Sequence, residues 1–147
     1  MNTIPQTDIR RFIEAQETPY GGNYHQALEE IRNGYKESHW IWYIFPQLRC
    51  LGHSNVAKYF GIADRDEAER YLSNGILCSR IREITQELLK HKDKTALEIF
   101  GYVDAMKVRS CMTMFDVLSP NDIFGEVLET FYRGIPCKTT LDIMQEL

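Results

Sequence analysis

The stretch Ser38–Pro46, SHWIWYIFP, decides how the chain reads. Two tryptophans, a tyrosine and a phenylalanine fall within Trp40–Phe45, the longest apolar run in the sequence. The run is apolar on every side, so its period does not separate helix from strand. Its aromatic and β-branched residues suit a strand. A strand needs a partner, however, and no two adjacent runs alternate polar and apolar residues around a tight turn. A lone buried strand would leave its backbone N–H and C=O groups unpaired. Ser38 is a good N-cap and Pro46 stops an α-helix. The run is read as a buried helix capped by Ser38.

Outward from it, nearly every segment has the period and the ends of a helix. Thr7 or Asp8 caps a first helix with Ile9, Phe12 and Ile13 on one face. Pro19 and Gly21-Gly22 break the chain, and Asn23 caps a second helix with Tyr24, Ala27, Leu28 and Ile31 facing inward. Ser54 opens a short helix that Gly61 closes. Asp64 and Glu67 have capping-box spacing, and so do Thr95 and Glu98. Leu77, Ile81, Ile84 and Leu88 form a clear helical stripe. A long helix is expected to start on Asp104 and stop before Pro120, with Val108, Cys111, Met112, Phe115 and Leu118 facing the core. The segments NDIFGEVLETFYRG and TTLDIMQEL complete the chain. The expectation is an all-α single domain over residues 1–147, with about seven to nine short helices. The first ~6 residues are the one candidate for disorder.

Composition bounds the function. The 147 residues are enough for one domain with a sizeable core. A net charge of -4 argues against a nucleic-acid protein, which needs a basic face to displace counterions. The opening residues lack the apolar core of a signal peptide, and no apolar run approaches the ~20 residues of a spanning helix. The expected location is the cytoplasm, with no membrane partner. Cys50, Cys78, Cys111 and Cys137 are dispersed. Cys50 and His53 have the spacing of half a metal site, but no second half follows, so no metal and no cofactor is expected. The sequence carries no mark of oligomeric state.

Two groups of residues could carry chemistry. Rings at Trp40 and Trp42 beside His39 and Gln47 could sandwich a planar ligand and bond its edge. The plainer alternative is that the rings are core; Trp42, mid-run between apolar neighbours, is the ring expected to be buried. On the long helix, Lys107, Ser110 and Thr113 run along one margin of the apolar stripe, where a phosphate or carboxylate could meet them. Alternatively Lys107 snorkels and the hydroxyls bond back to the preceding turn. Cys111 points inward and reads as an inert thiol. No GxSxG, HExxH, P-loop or GxGxxG motif is present.

These residues resemble a family of small bacterial proteins of unknown function, some of which carry the label calpastatin. The pattern SHWxWxxFPQLxxLG is matched from Ser38 to Gly52, and KxRSxMTxF from Lys107 to Phe115. The likeness runs from about Ile9 to Leu141. Ile41 and Tyr43 stand where that family often has methionine and phenylalanine, and Cys111 where it often has serine. The resemblance implies a compact all-α domain and no particular activity. Its pattern includes the polar residues Lys36, Ser38, His39, Gln47, Asp104, Lys107, Arg109, Ser110 and Thr113.

The reading that follows is a pocket for a nucleotide-like or anionic small molecule, between the His39-Trp40 helix and the Lys107–Thr113 helix. Lys36, Ser38, His39, Trp40, Gln47, Lys107, Ser110 and Thr113 are its expected ligand-binding residues. His39 and Lys107 should share one cavity, with Lys107 holding the anion and His39 supplying a hydrogen bond or a proton. Catalysis stays open. The alternative is a non-enzymatic module that docks a protein partner on an aromatic patch. A looser likeness, to a helical family acting on ADP-ribose linkages, suggests a glycosidase as a third reading.

Overall fold

Helix-capping chemistry lays out most of the architecture. The computed structural model describes residues 8–18 and 22–146. Those residues form ten α-helices: α1 (Arg10–Glu17), α2 (Tyr24–Arg32), α3 (Ile41–Ile44), α4 (Asn55–Tyr59), α5 (Arg65–Ser73), α6 (Gly75–Leu89), α7 (Ala96–Phe100), α8 (Tyr102–Leu118), α9 (Ile123–Tyr132) and α10 (Lys138–Gln145). A 3₁₀ turn, Arg49–Leu51, lies between α3 and α4. The all-α expectation holds, with ten helices among the described residues against an expected seven to nine. No helix among the described residues is long and apolar enough to cross a membrane.

Asn23, Ser54, Asp64 and Thr95 each accept a backbone N–H at the start of α2, α4, α5 and α7. Thr95 and Glu98 complete a reciprocal capping box. Gly34 and Gly101 take positive φ at helix ends, as such ends require. Thr7, Pro19, Gly21 and the expected disorder of the first residues lie outside the described residues. Asp8 accepts the Arg10 amide at 2.9 Å, although Ile9 is the N-cap residue of α1.

Three local expectations are corrected. Helix α8 begins at Tyr102, after Gly101, so Asp104 sits in its first turn instead of capping it. Helix α3 is one turn with Trp40 at its N-cap, and Ser38 does not cap it. Glu67 does not close a capping box with Asp64; its carboxylate is taken by a buried arginine.

That arginine is Arg11, and both side chains of the pair are fully enclosed. Its guanidinium donates to both oxygens of Glu67 at 2.7 and 3.3 Å. Its other N–H groups reach the carbonyls of Tyr59, Asp8 and Gly61 at 2.8–2.9 Å. All five donors are used, and Glu67 also accepts the Ala63 amide at 2.7 Å. The pair ties α1 to α5 and to the chain between α4 and α5.

Helix α8 is the centre, packed against α5, α7, α9 and α10. Its Val108, Cys111, Met112, Met114 and Phe115 are buried with Phe12 of α1, Ile81, Ile84 and Leu88 of α6, and Phe124 of α9. The described residues contain no strand, only an isolated parallel bridge between Leu48 and Ile62. There Arg49 N–H donates to Ile62 O at 2.7 Å and Ile62 N–H to Gln47 O at 2.9 Å. Gly61 permits the approach: a Cβ there would lie 2.4 Å from Arg49 Cα. The bridge fixes Gln47 just beyond α3.

Replacing Glu67 with glutamine should cost about 3–5 kcal/mol of stability, because it strands a buried guanidinium. Urea unfolding measures it, and a loss below about 1 kcal/mol would contradict this account.

Candidate functional site

The opening stretch is held by a buried carboxylate, Glu30, which the sequence, pairing it with Glu29, presents as a solvated helix surface. Glu30 of α2 accepts the amides of Glu37 and Ser38 at 2.7 and 2.8 Å on one oxygen, which also takes the Trp40 indole N–H at 2.9 Å. Its other oxygen accepts the Ser38 hydroxyl at 2.6 Å and the Gln26 amide at 3.3 Å. Burial pushes the Glu30 carboxyl up, but the Ser38, Glu37 and Trp40 hydrogen bonds outweigh it and hold it below the usual range. Trp40 is thereby locked inside at 0% exposure.

Lys36 extends this network toward α8. Its ammonium lies 2.8 Å from Asp104, donates to Ser38 O at 2.5 Å and sits 5.0 Å from the centre of the Trp40 ring. Asp104 also meets Lys107 at 3.4 Å. Lys107 in turn sits 5.4 Å from the centre of the Trp42 ring.

Trp42 and Lys107 open onto a cavity of about 260 Å³. Gln47, Leu51, His53, Ala57 and Val103 line it with Gly52 and Ser54, and no carboxylate does. Among the described residues, the Trp42 indole N–H, the Gln47 amide and the His53 ring make no hydrogen bond. The polar lining is therefore available to a ligand, whereas the Glu30 network is saturated.

The expected site residues thus separate. Gln47 and Lys107 meet in this cavity. Lys36, Ser38 and Trp40 form the wall behind it, committed to Glu30 and Asp104. His39 is exposed and does not line this cavity with Lys107. Ser110 is buried and donates back to Met106 O at 3.2 Å. Thr113 donates back to Arg109 O at 2.8 Å and accepts the Cys137 amide at 2.9 Å. These are the back-bonds of the plainer alternative.

The two tryptophans exchange roles: Trp42, expected in the core, lines the cavity, and Trp40 is the core ring. His53 was legible only as half a metal site, and its place beside Gln47 comes from the turn at Arg49–Leu51. Among the described residues no group of three or more His, Cys, Asp or Glu side chains is placed to hold a metal.

A larger cavity, about 490 Å³, lies between α8, α9 and α10. Thr113, Asp116, Asp122, Glu126 and Glu129 contribute to its wall. Asp122 is engaged: Arg82 donates to both its oxygens at 2.9 and 2.8 Å, and Ser119 donates at 2.6 Å. Arg82, aided by Ser119, holds the Asp122 carboxyl well below its ordinary range against the cost of burial. Of the thiols, Cys111 is fully buried, and burial pushes its pKa well up.

These features describe a small all-helical protein with an aromatic, cation-bearing cavity beside its central helix. The chain belongs to the family described as protein of unknown function (DUF1810), matched over residues 6–144. It is similar to a solved structure, the conserved hypothetical protein Rv1873 from Mycobacterium tuberculosis, at 34% identity and a TM-score of 0.89. That match covers 96% of this chain and 99% of the other. No curated protein matches the chain.

Two measurements check this geometry. Trp40→Ala should cost about 3–5 kcal/mol, and Trp42→Ala clearly less, in paired denaturation curves; equal losses would show that the two rings are not differently placed. Glu30 and Asp122 have depressed folded pKa values, so their contribution is complete above the ordinary carboxylate range and lost as pH falls through the folded value. Stability should therefore decline from about pH 5 downward, less steeply in Glu30→Gln than in the parent. An unchanged slope would remove Glu30 from the acid response.

Proposed function

We propose that the protein binds a small anionic ligand in the cavity formed by Trp42, Gln47, His53 and Lys107. The observation that carries the reading is the unused hydrogen-bonding capacity of Trp42, Gln47 and His53 around one cation. Where the ligand carries a planar group, a nucleobase or similar ring, that group stacks on Trp42, and Gln47 and His53 bond its edge. Lys107 meets the charge. No carboxylate lines the cavity, and Asp104, 3.4 Å from Lys107, is also paired with Lys36 at 2.8 Å, which offsets its repulsion of an anion at Lys107.

The reading is one of binding. The paired carboxylates that glycoside hydrolysis uses are not in this cavity, so the glycosidase alternative gains no support from it. The aromatic-patch alternative needs rings on an open surface, whereas Trp40 is buried and Trp42 lines a concavity. Four free thiols suit a reducing compartment, and we place the protein in the cytoplasm on that ground. A net charge of -4 makes nucleic acid an unsuitable partner.

Thermal-shift screening against nucleotides and metabolite anions tests the proposal. A true ligand at 100 times its Kd stabilises by about 2.7 kcal/mol. Lys107→Ala should weaken that ligand by about tenfold or more. His53→Ala should weaken it less, and His39→Ala should leave it unchanged. A ligand lost with His39 and indifferent to Lys107 would sink the proposal.

A further inference from the structure

The cavity has an apolar rim on one side. Tyr102, Val103 and Met106 of α8 are exposed by 72%, 64% and 41%. At 3.6 residues per turn, these three and Lys107 occupy one arc of about 140° on the helix. Val103 and Lys107 reach into the cavity, and Met106 and Tyr102 carry the arc outward over the surface. One turn further along, Ser110 is buried, so the exposed strip ends there. Single exposed apolar residues are ordinary, but three on one arc, continuous with a cavity wall, form a track.

Size and charge say what fits. Ligand pockets usually hold about 300–1,000 Å³, so a cavity of about 260 Å³ encloses a head group and leaves the rest of a larger ligand outside. The cation stands at the inner end of the track, and no carboxylate lines the cavity. Resting on the binding role proposed above, we infer that the ligand is an amphiphilic anion. Its carboxylate or phosphate meets Lys107, and its apolar chain lies along Val103, Met106 and Tyr102.

The test is a nuclear magnetic resonance titration of the full-length protein, following the Trp42 indole N–H, assigned with Trp42→Phe. The probes are acetate, butyrate, hexanoate and octanoate, with hexyl phosphate to compare head groups. Affinity should rise about two- to fourfold per added methylene. Lys107→Ala should weaken every probe. The double variant Tyr102→Ser/Met106→Ser, at surface positions outside the cavity, should leave acetate unchanged and flatten the dependence on chain length. Hexyl phosphate should bind more tightly than inorganic phosphate, whichever head group Lys107 prefers. If octanoate binds no better than acetate, or the double variant keeps the chain-length dependence, the amphiphile is overturned while the anion site stands. If no anion moves the Trp42 resonance, the anion site fails as well.

Discussion

The arrangement around the cavity depends on the Glu30 carboxylate. A carboxylate removed from water is costly unless its lone pairs are met. Glu30 is met by two consecutive backbone amides, a hydroxyl, a side-chain amide and an indole. All but the Gln26 amide of α2 belong to the chain just before α3, where no helix or sheet satisfies the backbone. The carboxylate does the work that regular structure does elsewhere, fixing an irregular segment in one conformation. It also fixes the neighbouring ring. With the Trp40 indole bonded inward, a residue two positions on in a helical turn points about 200° around the axis. Trp42 is therefore turned toward the surface, and the cavity acquires its aromatic wall.

That dependence explains which parts of the molecule were legible. Caps at Asn23, Ser54, Asp64 and Thr95 are local chemistry, readable from three or four consecutive residues, and the structure realises them. Ser38 had the composition of a cap, but its hydroxyl is claimed by a carboxylate eight positions upstream. Glu67 had the spacing of a capping box and is instead claimed by Arg11, 56 positions away. In both cases a partner distant in sequence outbid the local one, and no local pattern encodes that.

The same limit governs the tryptophans. Ser38–Pro46 is apolar on all sides, so nothing within it distinguishes an inward ring from an outward one; the Glu30 contact decides. The hydroxyls of Ser110 and Thr113 were legible as a margin of the α8 stripe, but the fold covers that margin with the segment around Cys137. Lys107 lies further toward the N-terminus of the helix, where the neighbouring wall is Gln47–Ala57 and a gap remains. Gln47 reaches it because Gly61 lets two backbone segments close together, a contact with no periodic trace in the sequence.

The two lysines that share Asp104 differ in a way that bears on binding. Lys36 is 8% exposed and fully occupied by Asp104, the Ser38 carbonyl and the Trp40 ring. Lys107 is the more open of the two and the more distant from the carboxylate, at 3.4 Å against 2.8 Å. Drawing Lys107 toward an incoming anion therefore leaves Asp104 neutralised, because Lys36 stays. A lone lysine–aspartate pair behaves otherwise: removing its lysine leaves an uncompensated carboxylate beside the entering charge. Lys36 acts as the structural counter-ion, and its presence lets Lys107 exchange partners at little electrostatic cost.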